Sequence, residues 1–118
     1  MARPVEDFSV VLIFEYTVAM AADFRDVDPR ELRVPPSRSS GADPYKLQLQ
    51  IARFASSAAG MPPIWTYEGS DGTLMIVNGV TRATRIAKLA PGKLVRVEVL
   101  GKMRRAYATR PKVKDFLP

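Results

Sequence analysis

The 118-residue chain contains no cysteine and no histidine. Without cysteine there is no disulfide and no thiol nucleophile, and without histidine there is no Ser-His-Asp triad and no ordinary zinc site. It also lacks an uninterrupted apolar run of about 20 residues, the length a membrane span needs. Chemistry is left to Asp, Glu, Lys, Arg, Tyr, Ser, Thr and the backbone amides. An absent cysteine does not by itself report the redox compartment.

The length suits one domain with a core of its own. Hydrophobic residues make up 47% and charged residues 25%, as in ordinary globular proteins. Net charge is +6 and unevenly placed: residues 1–31 carry −4, so the remainder carries +10. A basic body suits a polyanion or nucleotide partner, and it equally suits solubility alone.

The most apolar stretch is "FSVVLIFEYTVAMAADF", residues 8–24. Glu6 and Asp7 stand where a signal peptide needs basic residues, and Glu15 interrupts the run, so neither a signal peptide nor a membrane span is expected. Val10, Val11, Ile13 and Phe14 favour a buried strand, with residues 18–24 continuing as a helix. The element reads as core or as a subunit contact, which leaves a homodimer open. These features lead to the expectation of a cytoplasmic protein with no membrane partner.

Further along, Asp28-Pro29 marks a turn, residues 31–34 read as a short extended piece, and Pro35-Pro36 lead into "SRSSG", a loop holding Arg38. This loop reads as a connector or as a phosphate contact. Asp43 and Pro44 fit the N-cap and first position of a helix over 44–58, with Leu47, Ile51, Phe54 and Ala58 on one face and Gly60 as its C-cap. Residues 62–79 read as a hairpin: Ile64 to Tyr67, the turn "GSDG", then Leu74 to Val77 as a strand buried on both faces. Trp65 and Tyr67 share a face by period two. Val95, Val97 and Val99 alternate with Arg96 and Glu98, a half-exposed strand. Residues 101–118 hold six basic residues and one acid. They read as a solvated terminus or as an element contacting nucleic-acid backbone.

"IVNGVTRATRIAKL", residues 76–89, carries the functional signal. A β-branched run ends in Asn78-Gly79, and a helix capped by Thr81 is expected to follow to Leu89. The first amides of a helix have no internal partners and can point at an anion, and glycine lets that anion approach the backbone. Arg82 lies near this N-terminus with a guanidinium able to fork onto phosphate, and Arg85 follows three residues later. Cations here oppose the helix dipole, a mismatch that an anion between them would relieve. Residues Asn78, Gly79, Val80, Thr81, Arg82 and Arg85, with Arg38 closing from the earlier loop, form the candidate phosphate site.

The order of these motifs resembles the ParB/sulfiredoxin superfamily. The match runs through Asp28-Pro29 to Leu32, Pro35, Gly60 to Ile64, Asp71-Gly72, Ile76-Val77, Gly79 and Arg82, and covers roughly residues 26–100. It divides the chain into an apolar element at 1–25, the domain at 26–100 and a basic extension at 101–118. The resemblance implies an α+β fold with a small mixed sheet and flanking helices. It also implies that Gly79, Arg82 and the helix behind them bind nucleotide phosphate, as CTP in ParB proteins and ATP in sulfiredoxins. Sulfiredoxins use a cysteine in this turn, which excludes their activity here. ParB proteins usually place Glu-Arg where this chain has Val80-Thr81, and nuclease-like members place two histidines in the turn. Two classes of function follow. One is a nucleotide- or nucleic-acid-phosphate-binding domain. The alternative is a phosphodiester or nucleotide hydrolase of the ParB-like nuclease type, a toxin or defence component. The hydrolase would need a divalent metal, with Glu68, Asp71 or Glu98 as base or ligand, and no motif singles out a catalytic residue.

Overall fold

A computed structural model describes residues 22–118. The expectations for the apolar stretch at 8–21, including the buried strand at 8–14, lie outside the described residues. Strand β1 (Asp23–Val27) comes first, followed by helix α1 (Pro44–Phe54), β2 (Ile64–Glu68), β3 (Leu74–Asn78), helix α2 (Val80–Leu89) and β4 (Val95–Lys102). Short 3-10 turns occupy Pro29–Glu31, Pro36–Arg38 and Val113–Phe116. The fold is α+β, with a four-stranded mixed sheet in the order β1-β4-β2-β3.

The sheet follows from the apolar pattern of its strands. Val95, Val97 and Val99 of β4 are buried and alternate with Arg96 and Glu98, so β4 can sit inside the sheet with one face on the core. It pairs antiparallel with β1 and parallel with β2. The β2–β3 hairpin turns at Gly69 to Gly72, where the Gly69 amide donates to Thr73 O at 2.8 Å and the Gly72 amide to Gly69 O at 3.0 Å. Asp23 and Phe24, expected to end a helix, begin β1 instead. Their ladder with Val99 and Glu98 overrides the local pattern, as sheet pairing often does.

Strand β3 is the last of the four, and Val77 and Asn78 are exposed, so it is not the doubly buried central strand its composition suggests. Residues 32–34 flank it. The Arg33 amide donates to Leu74 O and the Ile76 amide to Arg33 O, both at 2.9 Å. On the far side the Val34 amide donates to Pro111 O at 2.8 Å and the Val113 amide to Leu32 O at 2.9 Å. The basic C-terminal stretch is thereby drawn into the domain, and Val113 is buried in the same core as Leu32, Val34, Ile64, Ile76, Ile86 and Val97.

Asp71 ties the hairpin turn to this stretch. Its carboxylate accepts from the Thr73 hydroxyl at 2.6 Å, the Thr73 amide at 3.2 Å, the Tyr107 amide at 3.4 Å and the Ala108 amide at 3.0 Å. These donors hold its pKa down at about 2, the Thr73 hydroxyl contributing most. Among the described residues no helix is long and apolar enough to cross a membrane.

Candidate functional site

Helix α2 starts at Val80, one residue earlier than its sequence suggests, and Thr81 does not cap it. The N-cap is Gly79, at φ 119°, and no side chain caps this end. The conformation favours glycine, and the space around it reinforces the choice. A Cβ on Gly79 would lie 3.0 Å from Arg82 Nη2 and 3.2 Å from the Ile64 side chain. The amides of Val80, Thr81 and Arg82 stand in the first turn, where a helix offers no internal acceptor. The helix is anchored along its length by its apolar side: Val80, Ala83, Ile86 and Ala87 are buried in the core.

Arg82 folds back over Gly79. Its Nη2 donates to Pro63 O at 3.1 Å, while its Nε is buried with no partner. Burial pushes the guanidinium below its ordinary pKa, although far from losing its charge at neutral pH. A fork held at one tooth, with spare donors in a partly desolvated place, is suited to an oxyanion.

The surrounding cavity has a volume of about 370 Å³. Residues 77–82 form one wall, Ser37 and Arg38 from the Pro36–Arg38 turn form another, and Asp43, Lys46 and Gln50 of α1 and its cap form the third. Six of the seven residues expected from the sequence therefore converge: Arg38, Asn78, Gly79, Val80, Thr81 and Arg82. Three cations from three segments, Arg38, Lys46 and Arg82, face a single carboxylate. That carboxylate, Asp43, is partly committed, since its Oδ1 accepts from the Tyr45 and Lys46 amides at 2.9 and 3.1 Å. The loop bearing Arg38 is backed by the C-terminal segment, because Gly41 lies against the Phe116 ring, within 3.0 Å of where a Cβ would stand.

Arg85 does not line this cavity. It is only 2% exposed and spends its donors on the end of α1. Its Nη1 donates to Ala55 O at 2.8 Å and Ser57 O at 2.7 Å, its Nε to Gln50 Oε1 at 3.4 Å, and its guanidinium stacks on Phe54 with 5.2 Å to the ring centroid. Its role is to hold α1 on α2, and through Gln50 it touches the cavity wall from behind. This also explains why α1 stops at Phe54 rather than 58. Ala55 takes φ 48°, outside the right-handed helical region, and the chain beyond it turns its Ala55 and Ser57 carbonyls to Arg85.

The carboxylates considered for catalysis lie elsewhere. Asp71 is engaged at the hairpin turn, Glu68 accepts from Arg25 at 3.1 Å, and Glu98 projects from β4 opposite Phe24 and Trp65. Arg25 and Lys102 hold the Glu68 carboxyl below its usual range, Arg25 most strongly. Among the described residues no group of three Asp, Glu, His or Cys side chains is placed to hold a metal ion. Lys46, Gln50 and Ser37 were not foreseen as site residues. Lys46 and Gln50 lie four apart on α1, so one helix face carries both, beside the apolar Leu47 and Ile51, but the apolar stripe alone did not show that this flank borders a cavity.

No protein-family model, curated protein or solved structure matches the chain.

Proposed function

We propose that the cavity at the N-terminus of α2 binds the phosphate of a nucleotide. The observation that carries this reading is the convergence of Arg38, Lys46 and Arg82 on an uncapped helix N-terminus in one cavity. Each part favours an anion: the free amides and dipole of α2, the guanidinium fork of Arg82, and a local excess of positive charge. The volume lies within the range of small-molecule sites, about 300–1,000 Å³, and exceeds what a lone phosphate needs. Gln50, Asn78 and Ser37 offer neutral hydrogen-bonding groups for the rest of the ligand. The resemblance to ParB-like domains points to the same turn, Gly79 to Arg82, and to a ligand such as CTP or ATP. A hydrolase or nuclease would need carboxylates or an activated water beside the phosphate; the one carboxylate in the cavity, Asp43, caps α1, and the candidate acids Glu68, Asp71 and Glu98 do not line it. Binding without chemistry is therefore the reading the geometry favours.

Calorimetric titration with CTP, ATP, GTP, inorganic phosphate and a short DNA duplex tests it. One nucleotide is expected to bind more tightly than phosphate or DNA. Arg82→Ala is expected to weaken that nucleotide by about 1.5–3 kcal/mol, roughly 10- to 150-fold. If no phosphate compound binds, or if the variant binds equally well, the proposal fails. Tighter binding of DNA would move the assignment to nucleic-acid backbone.

A further inference from the structure

The sheet face opposite α2 is open among the described residues and carries large exposed apolar side chains among a few charges of mixed sign. The register puts Phe24, Glu98 and Trp65 in one row across β1, β4 and β2, and Tyr67 beside Met75 in the next. Phe24 is 48% exposed, Trp65 45%, Leu100 43% and Val77 41%, whereas Ile64, Ile76, Val95 and Val97 on the other face are buried in the core. An apolar patch of this kind on a small domain marks a contact surface. Its charges argue against nucleic acid. Asp26, Arg96 and Glu98 are of mixed sign, and Arg96 is already used, 3.9 Å from Asp26 and 5.6 Å from the Phe24 ring centroid.

We propose that this face is the docking surface for residues 8–16 of the same chain. The segment is the most apolar in the sequence, with only Ser9 and Glu15 polar. It joins the described structure at Ala22, immediately before β1, so its attachment point is the margin of the open face. The reach is sufficient. Nine residues span about 14 Å even if helical, which matches the roughly 14 Å between the outer axes of four strands, and five more residues separate them from Ala22. A second copy is the competing occupant. A short tether gives the chain's own segment an effective concentration on the order of millimolar, which exceeds a second copy at micromolar protein.

Trp65 is the single tryptophan and reports on the face directly. In the full chain, at a concentration where sedimentation shows a monomer, its fluorescence should resist acrylamide. Leu12→Asp combined with Ile13→Asp should raise the quenching constant several-fold. Quenching of the wild type like free indole, an unchanged constant in the variant, or protection that grows with concentration would each overturn the proposal, the last naming a second copy. A variant that misfolds is bypassed by Ile13→Cys with Leu100→Cys, feasible because the chain has no other thiol. A short bismaleimide should then link the two cysteines within one monomer, and absence of that intramolecular link refutes the docking.

Discussion

Helix α1 closes its N-terminus with its own Asp43 side chain, whereas α2 leaves the same position to Gly79. The contrast continues along the two helices. No residue of α1 is buried, while Val80, Ala83, Thr84, Arg85, Ile86 and Ala87 of α2 are. The anchored helix therefore carries the unsatisfied end, and the surface helix, satisfied at its start, supplies Lys46 and Gln50 from the side. Two arginines three residues apart on α2 divide the work. Arg85 is consumed by structure at the far end of α1, and Arg82, held through a single bond to Pro63 O, lines the cavity. A cation's sequence position near a helix N-terminus is thus a poor guide to its use. What matters is whether carbonyls already saturate it.

The division can be broken most severely at Arg85. Arg85→Ala removes two charge-assisted bonds and leaves the Ala55 and Ser57 carbonyls without their donor, which should destabilise the domain by about 3–4 kcal/mol. Thermal unfolding should show Tm falling by more than about 10 °C, and a fall of a degree or two would mean that α1 holds without the clamp. Arg82→Ala should show the reverse profile, the 10- to 150-fold loss of nucleotide affinity given above with a change in stability within about 1 kcal/mol. Chemical denaturation beside calorimetry separates the two. A large loss of stability would place Arg82 with Arg85 as structure.

Asp43→Ala sharpens the comparison of the two N-termini. It should lower stability by about 1 kcal/mol by uncapping α1, while Gly79→Ala acts through strain and close contact rather than through a lost cap. Denaturant midpoints at constant m-value are the measure. The smallest effect is expected from Asp71, which lies outside both helices. Its folded pKa of about 2 is below the ordinary carboxylate value, so its contribution is complete above about pH 4 and is lost as pH falls toward 2. Asp71→Asn should flatten that limb of the stability profile and leave neutral-pH nucleotide binding unchanged. An identical acid limb in both proteins would show that other carboxylates govern it.

The helix, hairpin and β4 were legible because each carries its own local signal. Asp43-Pro44 starts a helix, Gly69 to Gly72 makes a turn, and alternating valines make a strand with one buried face. The turn at Gly79 was legible too, because a glycine between a β-branched run and a helix has few other uses, but its uncapped state was not: Thr81 was expected to cap the helix, and Gly79 holds that position instead. What could not be read depends on distant partners. The burial of Arg85 needs carbonyls from residues 55 and 57, and the addition of Lys46 to the cavity needs the angle at which α1 meets α2. The stretch after β4 looked like a charged terminus because its one decisive apolar residue, Val113, is surrounded in sequence by lysines and is buried only by pairing with residues near 32.

That last pairing sets an order in time. Residues 32–34 are wedged between β3 and 111–113, so the wall that bears Arg38 lacks its outer neighbour until residue 113 has been synthesised. Roughly 80 residues separate the two partners, about 4–16 s of translation at about 5–20 residues per second. The cavity therefore cannot be finished from the N-terminal side as the chain emerges; the wall that bears Arg38 must wait for residue 113.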